Sequence, residues 1–598
     1  MKYILYILLS LNAAQTSAQI YFSPNAFLYA KNEVLYVGQN ITMASSSNLY
    51  LRNNSQLLQG SSSLSQNSGQ GTLSVYQEGT ADNFDYNYWC SPVGNASSAS
   101  GNENFGITML HRPTSPVLST PATLLPAGSY DGTSNPLSIA SSWIYKLVNA
   151  GSYSQWIYVG NTAGLQPGEG FTMKGTSGTD LLDPAQTGTF NNPGGAQRYD
   201  FRGKPNDGNI TVVLGAGAAT LTGNPYPSAL HLNAFLLDPS NVVITGGTAY
   251  FWEQDKSVNS HYLSAYKGGY GAYAPVSLLS DGIYTPPVFN SYNQDGSLNT
   301  GTPASGSGTP IQRRYSPIGQ GFLLNGTAAG TAIFRNSHRI FVKEASGGSQ
   351  FEKSAGIQKP ESRQETVTPV SHIKFNTIIN NQFTRQLALA FTPDATDGVD
   401  PGVDAVNIST DLPNDLGFWL ENASYVIEGI NFDLSKQIPL VVKAAVNSTF
   451  KFYISDIINF DQAQPVYLYD MLDGSYHNIA QTPFQVSVAP GIYTERFKIT
   501  FTSKTLGVRD YDSDTQFFIF HNDVQSSVTA VNPGMLPIES YKLYDVNSRM
   551  VRSENNLTAD LRYAFSTSGL SAGVYIAVFH TNDGRRLTGK IIISAGSH

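Results

Sequence analysis

The sequence predicts an all-β, multidomain protein, and three observations predict it. Aromatic residues make up 12% of the 598-residue chain, with 34 Tyr and 30 Phe, and such side chains suit a pleated surface better than a helix. From about residue 76 to 343, turn dipeptides such as Asn-Pro, Asp-Gly and Gly-Gly separate short aromatic runs about every ten to fifteen residues. Later runs alternate, as in Phe450-Lys451-Phe452-Tyr453-Ile454, and no helical period survives for long.

A single core rarely grows beyond about 250 to 300 residues, so this length implies about four domains. Charged residues are 13% of the chain and the net charge is -8. That balance makes no basic field, which argues against nucleic acid and anionic membrane as partners. Cys90 is the only cysteine, which excludes an intrachain disulfide and a thiolate metal cluster. Within Tyr86-Asn87-Tyr88-Trp89-Cys90-Ser91-Pro92 it reads as a small buried hydrophobe rather than a nucleophile.

Residues 1–18 have the layout of a cleavable signal peptide: Lys2, an apolar stretch from Tyr3 to Leu11, and small residues ending at Ala18. The apolar stretch is too short to span a bilayer, which needs about twenty residues, and no later segment has transmembrane length. Residues 19–75 repeat a phrase ending in Asn: Leu28-Tyr29-Ala30-Lys31-Asn32, Leu35-Tyr36-Val37-Gly38-Gln39-Asn40 and Leu49-Tyr50-Leu51-Arg52-Asn53-Asn54. Short strands with Asn at the corners predict a few coils of a parallel β-solenoid; ordinary antiparallel strands are the alternative.

Residues 76–345 read as a duplicated β-rich module. Gly168-Glu169-Gly170-Phe171-Thr172-Met173-Lys174-Gly175-Thr176 returns as Gly319-Gln320-Gly321-Phe322-Leu323-Leu324-Asn325-Gly326-Thr327, 151 residues later. Each copy follows an aromatic segment, Trp143-Ile144-Tyr145 or Tyr250-Phe251-Trp252, and a turn phrase, Trp89-Cys90-Ser91-Pro92 or Gly223-Asn224-Pro225-Tyr226-Pro227. The glycines read as a turn entering a buried strand, since a phosphate cradle would need a following helix. A linker follows at 346–371, then a β-sandwich domain at 372–505, a second linker at 506–527 and a small Ig-like β-sandwich at 528–598.

The search for chemistry yields little. The nine histidines show no metal-ligand pair spacing, and no Walker loop, and no nucleophile elbow or dinucleotide fingerprint set between a strand and a helix, is present. Asp394, Asp397, Asp400 and Asp404 offer four carboxylates in eleven residues. They read either as a calcium site, the one cofactor the chain suggests, or as turn formers in a solvated loop. Tyr262, Tyr266, Tyr270 and Tyr273 read either as glycan or protein contacts or as strand packing.

The C-terminal segment carries Tyr541-Lys542-Leu543-Tyr544-Asp545-Val546-Asn547-Ser548-Arg549, then Leu570-Ser571-Ala572-Gly573-Val574-Tyr575-Ile576, and a closing basic strand through Lys590. It resembles the C-terminal sorting domain of type IX secretion substrates over about 70 residues, with Tyr544, Asp545, Asn547, Arg549, Gly573, Val574, Tyr575 and Lys590 as the motif positions. From Tyr541 to His598 there are seven Lys or Arg against four Asp or Glu. The cargo ahead of it resembles the large uncharacterised surface or adhesin-like proteins of bacteria that use this route.

The resemblance implies export through the periplasm to the outer cell surface or the extracellular space. The outer-membrane translocon would be the partner, and surface lipopolysaccharide or extracellular glycans would be further contacts. The expected function is a non-catalytic surface protein with an adhesive or structural role; a secreted carbohydrate-active or peptide-cleaving enzyme is the alternative.

Overall fold

The computed structural model describes residues 19–593 apart from 61–62, 161–163, 294, 296, 302–303, 307, 309–310, 345–368, 410–411, 504–516, 523–524, 533 and 548. The signal-peptide reading of 1–18, most of the 346–371 linker and the first part of the 506–527 linker lie outside the described residues. Among the described residues the regular structure is nearly all strand, with short helices such as Leu232–Leu236 and Pro239–Thr245. It divides into two compact units, residues 1–503 and 504–598.

The first unit opens with parallel coils. Phe27–Lys31, Asn48–Arg52 and Thr72–Glu78 stack in register, aligning Leu28 with Leu49 and Leu49 with Leu73. Ile20–Phe22 lies parallel to Ile41–Met43, and Val34–Val37 to Gln56–Gln59. The corners are where the sequence put asparagine: Asn25, Asn32, Asn53 and Asn54 all have positive φ, a conformation Asn tolerates better than most residues. Leu49, Leu57 and Leu73 fill the interior. The last coil strand does not end the sheet, because Thr72–Glu78 pairs antiparallel with Arg198–Pro205 and so extends it into the duplicated module.

The duplication is visible in strand register. Tyr86–Cys90 pairs antiparallel with Gly170–Lys174, setting Cys90 against Gly170; Ala219–Gly223 pairs with Gly321–Asn325, setting Gly223 against Gly321. By this register Tyr88 and Trp89 of the first copy correspond to Leu221 and Thr222 of the second. The copies meet reciprocally. A methyl group on Gly170 would lie 2.7 Å from the Leu221 side chain and the Thr222 carbonyl, and one on Gly321 2.6 Å from the backbone of Tyr88. The glycines let the two backbones touch, and the preceding Gly168 and Gly319 turn with φ of 85° and 77°.

Residues 371–500 form one eleven-stranded sheet folded over on itself around Phe375, Phe418, Phe452 and Phe497. Its end strands, Ser475–Asn478 and Phe484–Val488, come together: the His477 ring stacks on Phe484 at 3.5 Å, nearly closing a barrel. One continuous core joins this sheet to the duplicated module, running from Tyr88, Tyr250 and Trp252 to Phe383, Leu389 and Tyr425.

The second unit is a two-sheet sandwich. One sheet holds Phe518–Asn522, Ser527–Val531 and Arg562–Ser566; the other holds Met550–Asn555, Ile538–Asp545, Gly573–Thr581 and Arg586–Ile593. Tyr575, Ala577 and Phe579 point inward, and Tyr541 stacks on Phe565 at 3.9 Å. Its first strand, Phe518–Asn522, lies where the sequence reading placed a linker. It is short, and it joins the sheet by pairing with Ser527–Val531.

Candidate functional site

Where the two copies of the module meet, they enclose a cleft of about 440 Å³, within the size range of small-ligand sites. The first copy supplies Tyr86 and Tyr88 from Tyr86–Cys90 and Thr172 and Lys174 from Gly170–Lys174, which strand alternation puts on one face. The second supplies Trp252, His261, Leu263 and Tyr266, and Trp143, Tyr145 and Trp156 close the wall. Three of the chain's five tryptophans therefore line a single cavity.

The rings support one another. Tyr88 stacks on Trp252 at 5.9 Å and 7°, and Trp252 on Tyr266 at 6.0 Å and 18°. Trp252 Nε1 donates to Gln254 and to the Tyr266 hydroxyl, so the indole is held by hydrogen bonds as well as packing. Trp143 and Trp156 are half-buried and present indole to the cleft.

One cation sits among these rings. The Lys174 ammonium is 4.1 Å from the Trp143 ring centre, 5.0 Å from that of Tyr86 and 5.6 Å from that of Tyr266. It donates to His261 Nδ1 at 3.2 Å, and His261 Nε2 donates to Asp131 at 2.9 Å. Burial lowers the Lys174 pKa to about 8, partly opposed by Asp85, Asp131 and Asp82. Burial, with the Asp82 charge, raises the Asp85 carboxyl to about 7. Burial also acts to raise Asp131, but hydrogen bonds from Asn83 and His261 outweigh it and hold that carboxyl low. Aromatic faces beside a few fixed polar groups are the surface on which the apolar face of a sugar ring stacks.

Of the four tyrosines read from sequence, Tyr266 lines the cleft. Tyr270 stands behind it, its hydroxyl 2.9 Å from that of Tyr88. Tyr262 is 80% exposed and does not line the cavity. Tyr273 is sealed in the core with its hydroxyl donating to Asn233. The tryptophans, Lys174 and His261 were missed as a set. Alternation in Tyr86–Cys90 signals that Tyr86 and Tyr88 share a face, but nothing local says that Trp252 and His261 approach it from more than 160 residues away.

The acidic loop is bound up with itself and its neighbours. Asp404 is buried and accepts from the backbone N–H of Asp400 at 2.6 Å and of Gly429 at 2.7 Å. Asp400 accepts from the Thr396 N–H at 2.7 Å, Asp397 pairs with Lys436, and Asp394 is exposed. Gly402 docks the loop on the duplicated module: its N–H donates to the Gly246 carbonyl, and its own carbonyl accepts from Val276, each at 2.8 Å. The four carboxylates do not converge, and among the described residues no group of three or more His, Cys, Asp or Glu is placed to hold a metal ion.

The C-terminal motif residues divide by role. Asp545 accepts from the N–H groups of Asn547 and Arg549, at 3.0 and 2.9 Å, closing the turn that follows Tyr544. Tyr575 is buried with its hydroxyl donating to the Ser571 carbonyl, and Val574 is half-buried beside it. Gly573, Arg549 and Lys590 are exposed, as are Arg552, Arg562, Arg585 and Arg586. No helix among the described residues is long and apolar enough to cross a membrane.

No curated protein matches the chain. Among solved structures, one of PorZ, titled an essential bacterial surface component of the type-IX secretion system of Porphyromonas gingivalis, aligns at 10% identity and a TM-score of 0.12. That alignment covers 30% of this chain and 25% of PorZ. The BSP domain of a biofilm associated protein aligns at 8% identity and a TM-score of 0.11, over 66% of this chain and 64% of its own. Tp47, the 47-kilodalton lipoprotein of Treponema pallidum, aligns at 7% identity and a TM-score of 0.11, over 62% and 91%. Likeness at this level carries no argument about fold or site. The family model described as a domain of unknown function, DUF8693, matches residues 8–501, and the chain belongs to that family.

Proposed function

We propose that this chain is a non-catalytic protein of the bacterial cell surface, delivered by type IX secretion, with an adhesive role in which the aromatic cleft contacts carbohydrate. The observation that carries the adhesive reading is the cleft itself: three indoles and four phenols around about 440 Å³, with polar atoms at Lys174, His261 and Thr172. The export reading rests on the resemblance of the last segment. It is supported by the folding of that segment as a separate unit with an exposed basic surface.

A glycan array probed with the mature chain and with Trp156→Ala tests the first part. Loss of sugar binding in the variant supports the cleft, and absence of binding by either protein refutes it. Release of new reducing ends from a bound glycan would instead favour the enzyme reading. For the second part, residues 505–598 fused to a periplasmic reporter should bring it to the surface of a host with the type IX machinery; a reporter that stays periplasmic refutes the sorting role.

A further inference from the structure

We infer that the cleft takes an acidic saccharide and that Lys174 is the residue that selects its carboxylate. The inference rests on the carbohydrate reading above and adds the charge class of the ligand.

Lys174 is 4% exposed and lines the cleft. An ammonium has three N–H donors, and among the described residues one of these is used, toward the neutral acceptor His261 Nδ1. Among the described residues no carboxylate lies within ion-pair distance of it, whereas Lys146, Lys204 and Lys436 each have such a partner. The surrounding contacts are ring faces: Trp143, Tyr86 and Tyr266. Buried charges are ordinarily paired. A buried ammonium on a cavity wall with donors unspent is completed by an anion brought by the ligand.

The charged groups around it leave that place open. Asp131 is engaged through His261 and by Asn83, and Asp85 is a buried carboxyl raised to about 7 by desolvation. Asp82 acts on Lys174 only through space, and Lys256 acts on Asp85. The depressed lysine value, about 8, is what an ammonium lacking a close counter-charge shows. A sugar carboxylate on Lys174 leaves the ring of that sugar or its neighbour to stack on Trp143 or Trp156.

The test uses the mature chain and paired probes: uronate- and sialate-terminated oligosaccharides, each beside its carboxyl-reduced form, titrated by calorimetry. The acidic member should bind about tenfold tighter or better. Lys174→Met should abolish that preference and Lys174→Arg should keep it, with circular dichroism confirming that both fold. Titration at pH 8 in buffers of different ionisation heat should show proton uptake on binding, and affinity should fall above that pH. Equal binding of acidic and reduced members, or a preference that survives Lys174→Met, overturns the inference while leaving the carbohydrate reading intact. Absence of binding by every probe overturns both.

Discussion

The Lys174 ammonium lies 4.1 Å over the Trp143 ring, and the His261 imidazole stacks on the same indole at 5.2 Å and 18°. One tryptophan thus shields the cation and fixes the orientation of the imidazole that accepts its proton bond. The arrangement couples the electrostatics of the cleft to a single half-buried side chain.

Trp143→Ala should let water reach Lys174. Because burial is the main cause of the lowered value, the lysine should titrate above its present value of about 8 and toward 10.5. NMR titration of the dimethylated lysine would show the shift. An unchanged midpoint would mean that the indole is not what desolvates the ammonium.

Gly170→Val and Gly321→Val should destabilise the first unit by similar amounts, about 3 kcal/mol, since each side chain would meet the other copy's backbone or a buried leucine at under 3 Å. Denaturant midpoints compare the two. A large effect from one and none from the other would deny the reciprocal contact.

Stability should fall between about pH 4 and pH 7. Burial raises Asp404 and Asp85 to about 7 and raises Glu428 well above its usual value. Such groups keep their protons longer in the folded state, so their contribution is intact below the unfolded pKa and is lost as pH rises through the folded one. Asp404→Asn should remove on the order of 2–4 kcal/mol of that pH dependence, read from thermal unfolding at pH 5 and pH 8. A stability that rises over this range would contradict the sign.

Asp415→Ala should cost about 3–5 kcal/mol, because it strands the buried Arg385 guanidinium, which now makes two bonds to Asp415 at 2.7 and 2.8 Å. Urea unfolding measures it. A loss under 1 kcal/mol would show that water or Asn407 replaces the partner.

Calcium should leave the melting temperature unchanged, and Asp397→Ala should not alter that response, since Asp397 pairs with Lys436 while Asp400 and Asp404 are held by backbone donors. Calorimetry with and without calcium decides it.

What could be read from sequence was whatever is local. Asparagines at coil corners, alternation in the strands, and the paired Gly-x-Gly-Phe phrases each encode a backbone conformation within a few residues. The cleft was legible only in fragments, because Tyr86, Lys174 and Trp252 meet through pairings across about 80 to 170 residues that no local period records. Asp404 shows the same limit: its spacing suggested a ligand, while its burial against Gly429 depends on a strand that follows later. Tyr273 has the same composition signal as Tyr266 and both are buried, yet Tyr273 lies within the strand Gly268–Ala274 while Tyr266 precedes it and lines the cavity.

The meeting of the copies at Gly170 and Gly321 bears on how the cleft is kept whole. The first copy supplies Tyr86, Tyr88, Trp143, Trp156 and Lys174, and the second closes the recess with Trp252, His261 and Tyr266. The cation and its imidazole partner thus come from different halves of the module, and a side chain that parts the halves at either glycine also pulls at the Lys174–His261 bond.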